Sequence, residues 1–366
     1  MKITMKTIPF QTMVARAAKG ASENKLLPIT SMMEISLKDN VLTLTTTDTS
    51  NTLTIIQDKV QGDEFYAVVP VDIFSKLIAK TNSETVTLTV KENSLEVKGN
   101  GVYNIALPMD EEGTVVFPKY EFEKVGEPAK IHLSTVKQIL AVNKPAIAKN
   151  LDTPCLCGYY LGDQVVTTDE NVICFNDMNV LGMDVLVSPE MLELLALNTS
   201  ENINVYYNDG YFLFETSDMV LYGAEHDGKS IYPVNEIKSY LDEDFKSYAV
   251  VSKLLLEDVM DRLSLFIEPY DKNGAYFLFT KDGLKLTSKK SSSVEILHYA
   301  ESENFQPFSC CVDIPMFQAQ IAAIPSETVK IWYGHEAALK MTSGNITQVM
   351  ALLEDEELES VVNGIQ

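Results

Sequence analysis

The sequence predicts an α+β protein of three tandem, similar domains, each with two helices and antiparallel sheet. The first observation is a pattern of apolar strand, short turn and alternating strand that occurs three times in 366 residues. The second is that each copy continues into an amphipathic helical segment and a further alternating hairpin. The third is the near-constant spacing of the copies, which is typical of a tandem repeat.

The first hairpin of each copy is marked by its turn. The turn residues are Asp, Asn and Gly, which tolerate the tight backbone that joins two antiparallel strands. Aligning the copies places Asp48, Asp169 and Lys289 at equivalent positions, 121 and 120 residues apart. These hairpins span residues 33–48, 155–169 and 275–289, with turns at 39–40, 162–163 and 282–283.

Two helices are predicted in each copy. One precedes the first hairpin and the other follows it with a proline near its start, where the missing N–H of proline has no helical partner to lose. The predicted helices span residues 10–21, 134–148 and 252–266 before the hairpins, and 69–80, 187–197 and 312–323 after them.

A second hairpin completes each copy, and its alternation of apolar and polar residues predicts a sheet with one buried face. These hairpins span residues 85–98, 202–216 and 328–342. The pattern is interrupted at residues 108–128 and 226–246, where Pro, Gly and acidic residues accumulate. We therefore predict domains at residues 1–125, 126–245 and 246–366.

Repeated α+β units can pair their equivalent edges from one unit to the next. A three-unit arc with complementary ends can close by a two-fold axis into a ring of six units. Closure would also cover edge strands that would otherwise stay unpaired.

Composition narrows the class of function. The formal net charge is −23 and only Arg16 and Arg262 are arginines, which argues against conventional nucleic-acid binding through phosphate contacts. No run of eighteen apolar residues occurs and the N-terminus alternates like a strand, so we expect a cytoplasmic protein with no membrane contact. The five cysteines are expected to be buried or half-buried strand thiols in a reducing compartment.

No motif for catalysis or cofactor binding is present. The spacing of the cysteines and the scattered histidines match no metal site, and no nucleophile, phosphate-loop or dinucleotide fingerprint occurs. The sequence therefore predicts neither an enzyme nor a metal or cofactor.

The chain resembles the bacterial β sliding clamp family, the β subunit of DNA polymerase III, from residue 1 to about residue 353. The residues that carry the resemblance are LLPI at 26–29, LTLTTTD at 42–48 and VVTTD at 165–169. The resemblance implies a head-to-tail homodimeric ring of six domains that encircles duplex DNA without sequence preference. It also implies a processivity factor that tethers the polymerase, and that binds polymerase and clamp loader through short peptide motifs.

If DNA is threaded through a ring, an acidic protein can still retain it, because enclosure needs only a mildly attractive inner wall. The candidate DNA-facing residues are the basic residues of the predicted helices: Arg16, Lys19, Lys76, Lys80, Lys137, Lys144, Lys149, Lys253 and Arg262. Glu190 and Glu193, and the absence of basic residues at 312–323, depart from a uniformly positive wall. The alternative is a clamp-like protein scaffold or decoy that does not enclose DNA.

The resemblance also implies a partner-peptide pocket and a dimer interface. The pocket residues are Thr168, Val172, Ile173, Pro233, Ile237, Val349, Met350, Ala351 and Leu352, and the interface residues are Ile105, Leu107, Leu265 and Phe266. Where the family carries Gly, His and Arg after the TTD motif, this chain has Glu170, Asn171 and Val172. An acidic extension at 354–366 follows the pocket strand, and we expect this altered rim to serve a divergent set of partners, such as a phage or mobile-element replisome.

Overall fold

The computed structural model describes residues 1–110, 113–150, 152–241, 245–267, 274–288 and 294–365. The protein is α+β, with antiparallel sheets and short helices, as the sequence predicts. Within these ranges no helix is both long enough and apolar enough to cross a bilayer.

Within the described residues, the first third of the chain forms two α-helices and ten strands. The helices are α1 (Thr7–Ala17) and α2 (Val71–Ala79), and the strands are β1 (Lys2–Lys6), β2 (Met32–Lys38), β3 (Val41–Thr47), β4 (Asn51–Gln57), β5 (Phe65–Pro70), β6 (Thr85–Val90), β7 (Ser94–Lys98), β8 (Val102–Ala106), β9 (Met109–Asp110) and β10 (Gly113–Thr114).

The middle third repeats this order, with shorter strands in its first half. It contains β11 (Ala129–His132), α3 (Leu133–Asn143), β12 (Tyr159–Leu161), β13 (Val165–Thr168), β14 (Val172–Asn176), β15 (Val185–Val187), α4 (Pro189–Leu195), β16 (Asn202–Asn208), β17 (Tyr211–Glu215), β18 (Met219–Ala224) and α5 (Val234–Ser239). The segment at 155–157, predicted as strand, belongs instead to a 3₁₀ helix over Pro154–Cys157.

The last third follows the same order and adds one strand, β23, and a C-terminal helix. It contains β19 (Ser247–Ser252), α6 (Lys253–Ser264), β20 (Gly274–Thr280), β21 (Gly283–Ser288), β22 (Glu295–Leu297), β23 (Glu301–Glu303), β24 (Phe308–Asp313), α7 (Ile314–Ala322), β25 (Thr328–Tyr333), β26 (Ala338–Ser343), β27 (Ile346–Ala351) and α8 (Leu358–Ile365). Lys289, aligned with Asp48 and Asp169 in the sequence, lies outside the described residues.

The chain divides into two compact units. The first contains Met1–Val136 and Glu190–Glu225, and the second contains Lys137–Pro189 and His226–Gln366. The division into three domains at 125 and 245 stays a prediction.

In the first unit, an eight-stranded sheet has the order β11-β16-β17-β18-β4-β3-β2-β5, and a four-stranded sheet has the order β1-β6-β7-β8. The antiparallel pair β18–β4 joins strands of the first and middle thirds, with Leu221 opposite Leu53. Phe10 of α1 and Phe74 of α2 pack edge to face with ring centroids 6.2 Å apart, and both are fully buried.

In the second unit, a nine-stranded sheet has the order β15-β12-β13-β14-β27-β26-β25-β19-β23, and a four-stranded sheet has the order β22-β21-β20-β24. The pair β14–β27 is antiparallel and joins strands of the middle and last thirds. Phe317 of α7, at the position equivalent to Phe74, packs edge to face on Phe277 with centroids 4.9 Å apart. The same kind of pairing and the same aromatic position therefore recur in both units.

A threonine fixes the end of the first helix in both units. The Thr46 hydroxyl donates to the carbonyl of Ala17, the last residue of α1, at 2.6 Å. The Thr167 hydroxyl, 121 residues later, donates to the carbonyl of Asn143, the last residue of α3, at 3.0 Å. All these groups are buried, so each bond satisfies a helix-end carbonyl that water cannot reach.

Gly20 allows the chain to leave α1 closely against the sheet. A Cβ at this position would lie 2.6 Å from the Thr46 hydroxyl oxygen and 2.7 Å from Cβ of Leu53. Any larger residue would therefore push the end of α1 away from β3 and β4.

We expect Thr46→Val to lower the free energy of unfolding by about 1 kcal/mol, because the isosteric side chain leaves the buried Ala17 carbonyl without its hydroxyl donor. Chemical denaturation monitored by circular dichroism measures the change. Thr43→Val is the matched control, since the Thr43 hydroxyl lies 3.4 Å from the Ser36 carbonyl at a partly buried site. Equal stability of the two variants would contradict the role given to Thr46.

Candidate functional site

A mainly apolar groove in the second unit contains most of the residues expected in a partner pocket. Its volume is about 530 Å³. It is lined by Thr153, Cys155, Leu156, Thr168, Glu170, Asn171, Ile173, Ile231, Pro233, Ile237, Tyr240, His335, Ala337, Ala338, Val349 and Ala351.

Six of the nine residues expected in a partner pocket line this groove: Thr168, Ile173, Pro233, Ile237, Val349 and Ala351. Val172 and Met350 lie in the core of the second unit and are fully buried, because successive strand residues point to opposite faces. Leu352 lies partly buried against that same core.

The floor of the groove is made by the β14–β27 pair. Ile173 and Val349 are directly opposite each other in the antiparallel register. Both pack with Phe245 and Ala338 in one small apolar cluster. The strand pairing therefore brings two distant parts of the sequence into one continuous apolar surface.

One wall of the groove is fixed by Tyr232. Its hydroxyl donates to the Val166 carbonyl at 3.2 Å, and its ring stacks on Tyr160 with centroids 5.1 Å apart. Burial, with minor contributions from Cys155 and Tyr160, raises the pKa of Tyr232 well above its usual value, so the hydroxyl stays protonated as a donor. Pro233 and Ile237 follow directly and present their side chains to the groove.

A strained turn between β13 and β14 forms part of the rim. The Asp169 carboxylate accepts from the backbone N–H of Asn171 at 3.0 Å and of Val172 at 2.8 Å. The Thr168 hydroxyl oxygen accepts from the N–H of Glu170 at 3.1 Å, and Glu170 has φ = 76°. This left-handed conformation favours glycine, which is the residue that the sequence resemblance leads one to expect here.

The equivalent turn in the first unit has the same bonds. Asp48 accepts from the N–H of Ser50 at 2.9 Å and of Asn51 at 2.6 Å. Thr49 takes the left-handed place of Glu170, with φ = 85°. The left-handed turn therefore occurs in both copies whose turns are described, with Thr49 at this position in the first and the charged Glu170 in the copy that borders the groove.

Half of the residues that line the groove were not predicted from the sequence as pocket or rim residues. The 3₁₀ helix Pro154–Cys157 contributes Cys155 and Leu156, and the β25–β26 connection contributes His335 and Ala337. The burial of a Cys-Leu-Cys segment was visible in the sequence, but its 3₁₀ conformation has no periodic signal.

Among the basic candidates, Arg16 is engaged inside the first unit. Its guanidinium lies 2.8 Å from the Asp218 carboxylate and donates to the Leu197 carbonyl at 3.0 Å. Burial would raise the pKa of Asp218, but hydrogen bonds from Thr199 and Arg16, with the Arg16 charge, outweigh it and hold that pKa below its usual value. Arg16 therefore attaches α1 to the loop before β18.

Two other basic candidates also have partners on their own unit. Lys253 donates to the Ile324 carbonyl at 2.6 Å, just after the end of α7. Arg262 donates to the Glu295 carboxylate through its Nε at 2.8 Å, and this bond lowers the pKa of Glu295. Lys253 therefore links α6 to the end of α7, and Arg262 links α6 to β22.

The remaining basic candidates are exposed: Lys19, Lys76, Lys80, Lys137, Lys144 and Lys149. Lys76 forms an ion pair with Asp72 one turn earlier in α2. The helices that correspond to the six predicted ones, α1 to α4 with α6 and α7, contain five basic and six acidic residues. Any positive field must therefore come from lysines at helix ends and in the turns that follow.

The four candidate interface residues have contrasting exposure. Ile105 and Leu107 are buried in the first unit, with 6% and 7% of their surface exposed. Leu265 and Phe266, at the end of α6, are 79% and 46% exposed. The exposed apolar residues on β8 are instead Val102 and Tyr103.

The first third of the sequence is similar to a known protein family. Residues 1–116 match the family model described as DNA polymerase III beta subunit, N-terminal domain. No curated protein sequence matches the chain.

Solved structures match over almost the whole chain. The DNA polymerase sliding clamp from Bacillus subtilis has a TM-score of 0.85 at 16% identity, over 97% of this chain and 99% of that one. The DNA polymerase III beta subunit from Thermotoga maritima has a TM-score of 0.84 at 18% identity, over 97% and 99%. The DNA polymerase III beta chain from Streptococcus pneumoniae has a TM-score of 0.86 at 13% identity, over 97% and 100%. The fold of this chain is therefore that of the sliding clamps.

We expect Arg16→Met to lower the free energy of unfolding at pH 7 by about 1 kcal/mol, through loss of a partly exposed ion pair and a hydrogen bond. Because the folded pKa of Asp218 is lowered, the pair stabilises the protein above the unfolded pKa of an aspartate, about 4. That stabilisation is lost as the pH falls through the folded value. Denaturation curves from pH 7 downward measure it.

Lys19→Met is the matched control, because Lys19 is exposed one turn further along. The stability difference between Arg16→Met and the unchanged protein should shrink as the solution is acidified. A difference that grows toward low pH would contradict the assignment.

Proposed function

We propose that this chain is one half of a homodimeric DNA sliding clamp, a ring that encircles duplex DNA and tethers the replicative polymerase. The observation that carries the proposal is the fold, which matches bacterial clamps along 97% of the chain. The family-model match over residues 1–116 supports the same assignment from sequence alone.

The strand orders support closure by a second copy. Strands β8, β18 and β27 follow the second hairpin of each repeat, and β4, β14 and β22 follow the first. Within the chain β18 pairs with β4, and β27 pairs with β14. Of these strands, β8 and β22 stand at the ends of their sheets among the described residues. Pairing β8 of one copy with β22 of the other, twice, closes a two-fold ring.

DNA would be held by confinement. A net charge of −23 disfavours adhesion to phosphates, whereas a threaded duplex needs only a weak attraction from the inner wall. The exposed lysines Lys19, Lys80, Lys137, Lys144 and Lys149 are the residues we propose to face the duplex. Lys76 contributes less because Asp72 pairs with it.

The groove in the second unit is the proposed site for polymerase and clamp loader. Its apolar walls suit the side chains of an extended peptide, with Ile173, Val349 and Pro233 as the surfaces that receive them. We infer no catalytic activity, and no group of three or more metal-binding side chains occurs in the described part of the chain. The five cysteines, all within the described residues, are thiols and not disulfides, which fits our inference of a cytoplasmic protein.

A second candidate is a protein-binding scaffold that does not enclose DNA. The observation that favours it is the charge of the helices, which hold six acidic and five basic residues. The two candidates differ in whether the protein is retained on circular DNA and released from linear DNA.

We expect the protein to be retained on circular DNA and lost from linear DNA. Diluting it to monomers and concentrating it again with nicked circular plasmid should close rings around the circle, and gel filtration should recover them together. Cutting the plasmid once should release the protein, because a threaded ring leaves at the ends. Absence of retention on the circle, or equal retention after cutting, would contradict enclosure.

We expect Leu265→Ala with Phe266→Ala to give monomers. Arg262 fixes the end of α6 beside Glu295 of β22, so these exposed apolar side chains lie at the proposed dimer edge. Sedimentation should give the chain mass of 40.8 kDa for the double variant and twice that mass for the unchanged protein.

Ile8→Ala is the control for that experiment, since Ile8 is an apolar residue that is 77% exposed on α1 and belongs to neither β8 nor β22. It should remain dimeric. An intact dimer in the double variant, at a concentration where the control is also dimeric, would rule out this edge.

A further inference from the structure

The C-terminal extension is a folded element of the second unit. Leu358, Val361 and Val362 of α8 pack on an apolar cluster formed by Tyr276, Leu278 and Cys311. Their i, i+3 and i+4 spacing places them on one face of the helix. The extension is therefore anchored on the sheet of β20 and β24.

The acidic residues between β27 and α8 are held at both ends. On one side, the N–H of Leu353 donates to the Cys311 carbonyl at 2.8 Å. On the other, the N–H of Leu358 donates to the Asp355 carbonyl at 3.3 Å, and the N–H of Glu357 donates to the Asp355 carboxylate at 2.8 Å. Four consecutive acidic residues, 354–357, thus occupy a defined place on the surface.

This acidic segment borders the apolar groove. Residues 354–357 line a second depression, which also contains Glu336 and shares Ala337 and Ala351 with the groove. Across the strand end, the N–H of Ala351 donates to the Asn171 carbonyl at 2.8 Å, next to Glu170. Glu170 itself lines the groove.

The described lining of the groove contains no Lys or Arg. Its charged residue is Glu170, and the depression that continues from it adds Glu336 and the segment 354–357. The nearby Lys340 amino group lies 4.5 Å from the centre of the Phe245 ring and 3.4 Å from the Leu241 carbonyl oxygen. Its positive charge therefore already interacts with this ring and this carbonyl. The field along the groove is therefore negative at the end where the tail lies.

We propose that the groove is specific for partner peptides whose apolar anchors are flanked by Lys or Arg, with the basic residues lying along residues 354–357 and Glu336. This proposal rests on the proposed function of the groove and names the chemistry of the partner. Apolar anchors supply affinity, and the acidic segment supplies charge selection, which acts mainly on association rate and salt dependence. Helix α8 is the positioning element, because it fixes where the acidic segment lies.

The test uses three synthetic peptides with the same leucine and isoleucine anchors, flanked at both ends by lysines, serines or glutamates. Fluorescence anisotropy with the full-length protein should give about tenfold tighter binding of the lysine peptide than of the glutamate peptide at about 50 mM salt. At about 500 mM salt the ratio should fall toward one, because the charges are exposed and screened.

Two variants separate charge from structure. Glu354→Gln with Glu356→Gln and Glu357→Gln should remove most of the lysine preference and leave binding of the serine peptide unchanged. The matched control, Glu23→Gln with Glu84→Gln and Glu92→Gln, removes the same charge from exposed positions of the first unit and should keep the preference. Val361→Ser with Val362→Ser should release α8 and weaken the preference with every acidic residue still present.

The outcomes are distinct. A lysine preference that persists in the 354, 356 and 357 variant, or that the control triple also loses, would overturn the role of the acidic segment while the groove remains a peptide site. Failure of all three peptides to bind, or binding that survives Ile173→Asp, would overturn both this inference and the proposed peptide role of the groove.

Discussion

Pairing between the edge strands of successive repeats is the interaction on which the other features depend. Each repeat builds antiparallel sheet, and an antiparallel sheet leaves backbone N–H and C=O groups unpaired at its outer strands. In the first unit β4 receives β18, and in the second unit β14 receives β27. The hydrogen bonds of each pair extend one sheet across two repeats, so the eight- and nine-stranded sheets are products of the repeat itself.

The groove is a consequence of the same pairing. Ile173 and Val349 are opposite each other only because β14 and β27 pair in that register, and a shift of β27 by one residue would turn Val349 into the core and bring Met350 outward. The β13–β14 turn, with Glu170 at positive φ, and the tail anchored by α8 then give charge to a surface that is otherwise apolar. Stability of the sheet and shape of the site are thus set by one register.

The sequence predicts the elements that have a periodic pattern of apolar residues, and it does not predict the elements without one. The first and second hairpins at 33–48 and 85–98, and the helices at 69–80 and 312–323, are present within a few residues, because alternation and 3.6-residue spacing are local signals. Helix α1 begins at Thr7, three residues before the prediction, since Pro9 is tolerated in a first turn. Helix α8 was overlooked because the acidic residues before it hid the apolar face of Leu358, Val361 and Val362. Several of the pocket residues that the sequence resemblance implies lie on β14 and β27, which line the groove. Which side chains of these strands face the groove depends on the register, and Val172 and Met350 face the core instead.

The central claim is that β8 of one copy pairs with β22 of a second copy. Amide hydrogen exchange measures it most directly, through the outward N–H groups of β8, Val102–Ala106, and β22, Glu295–Leu297, that neighbouring strands of the same chain do not bind. Dimer closure predicts protection of these amides close to that of the internal β18–β4 pair, lost on dilution to monomers. Rapid exchange of both strands at high protein concentration would contradict it.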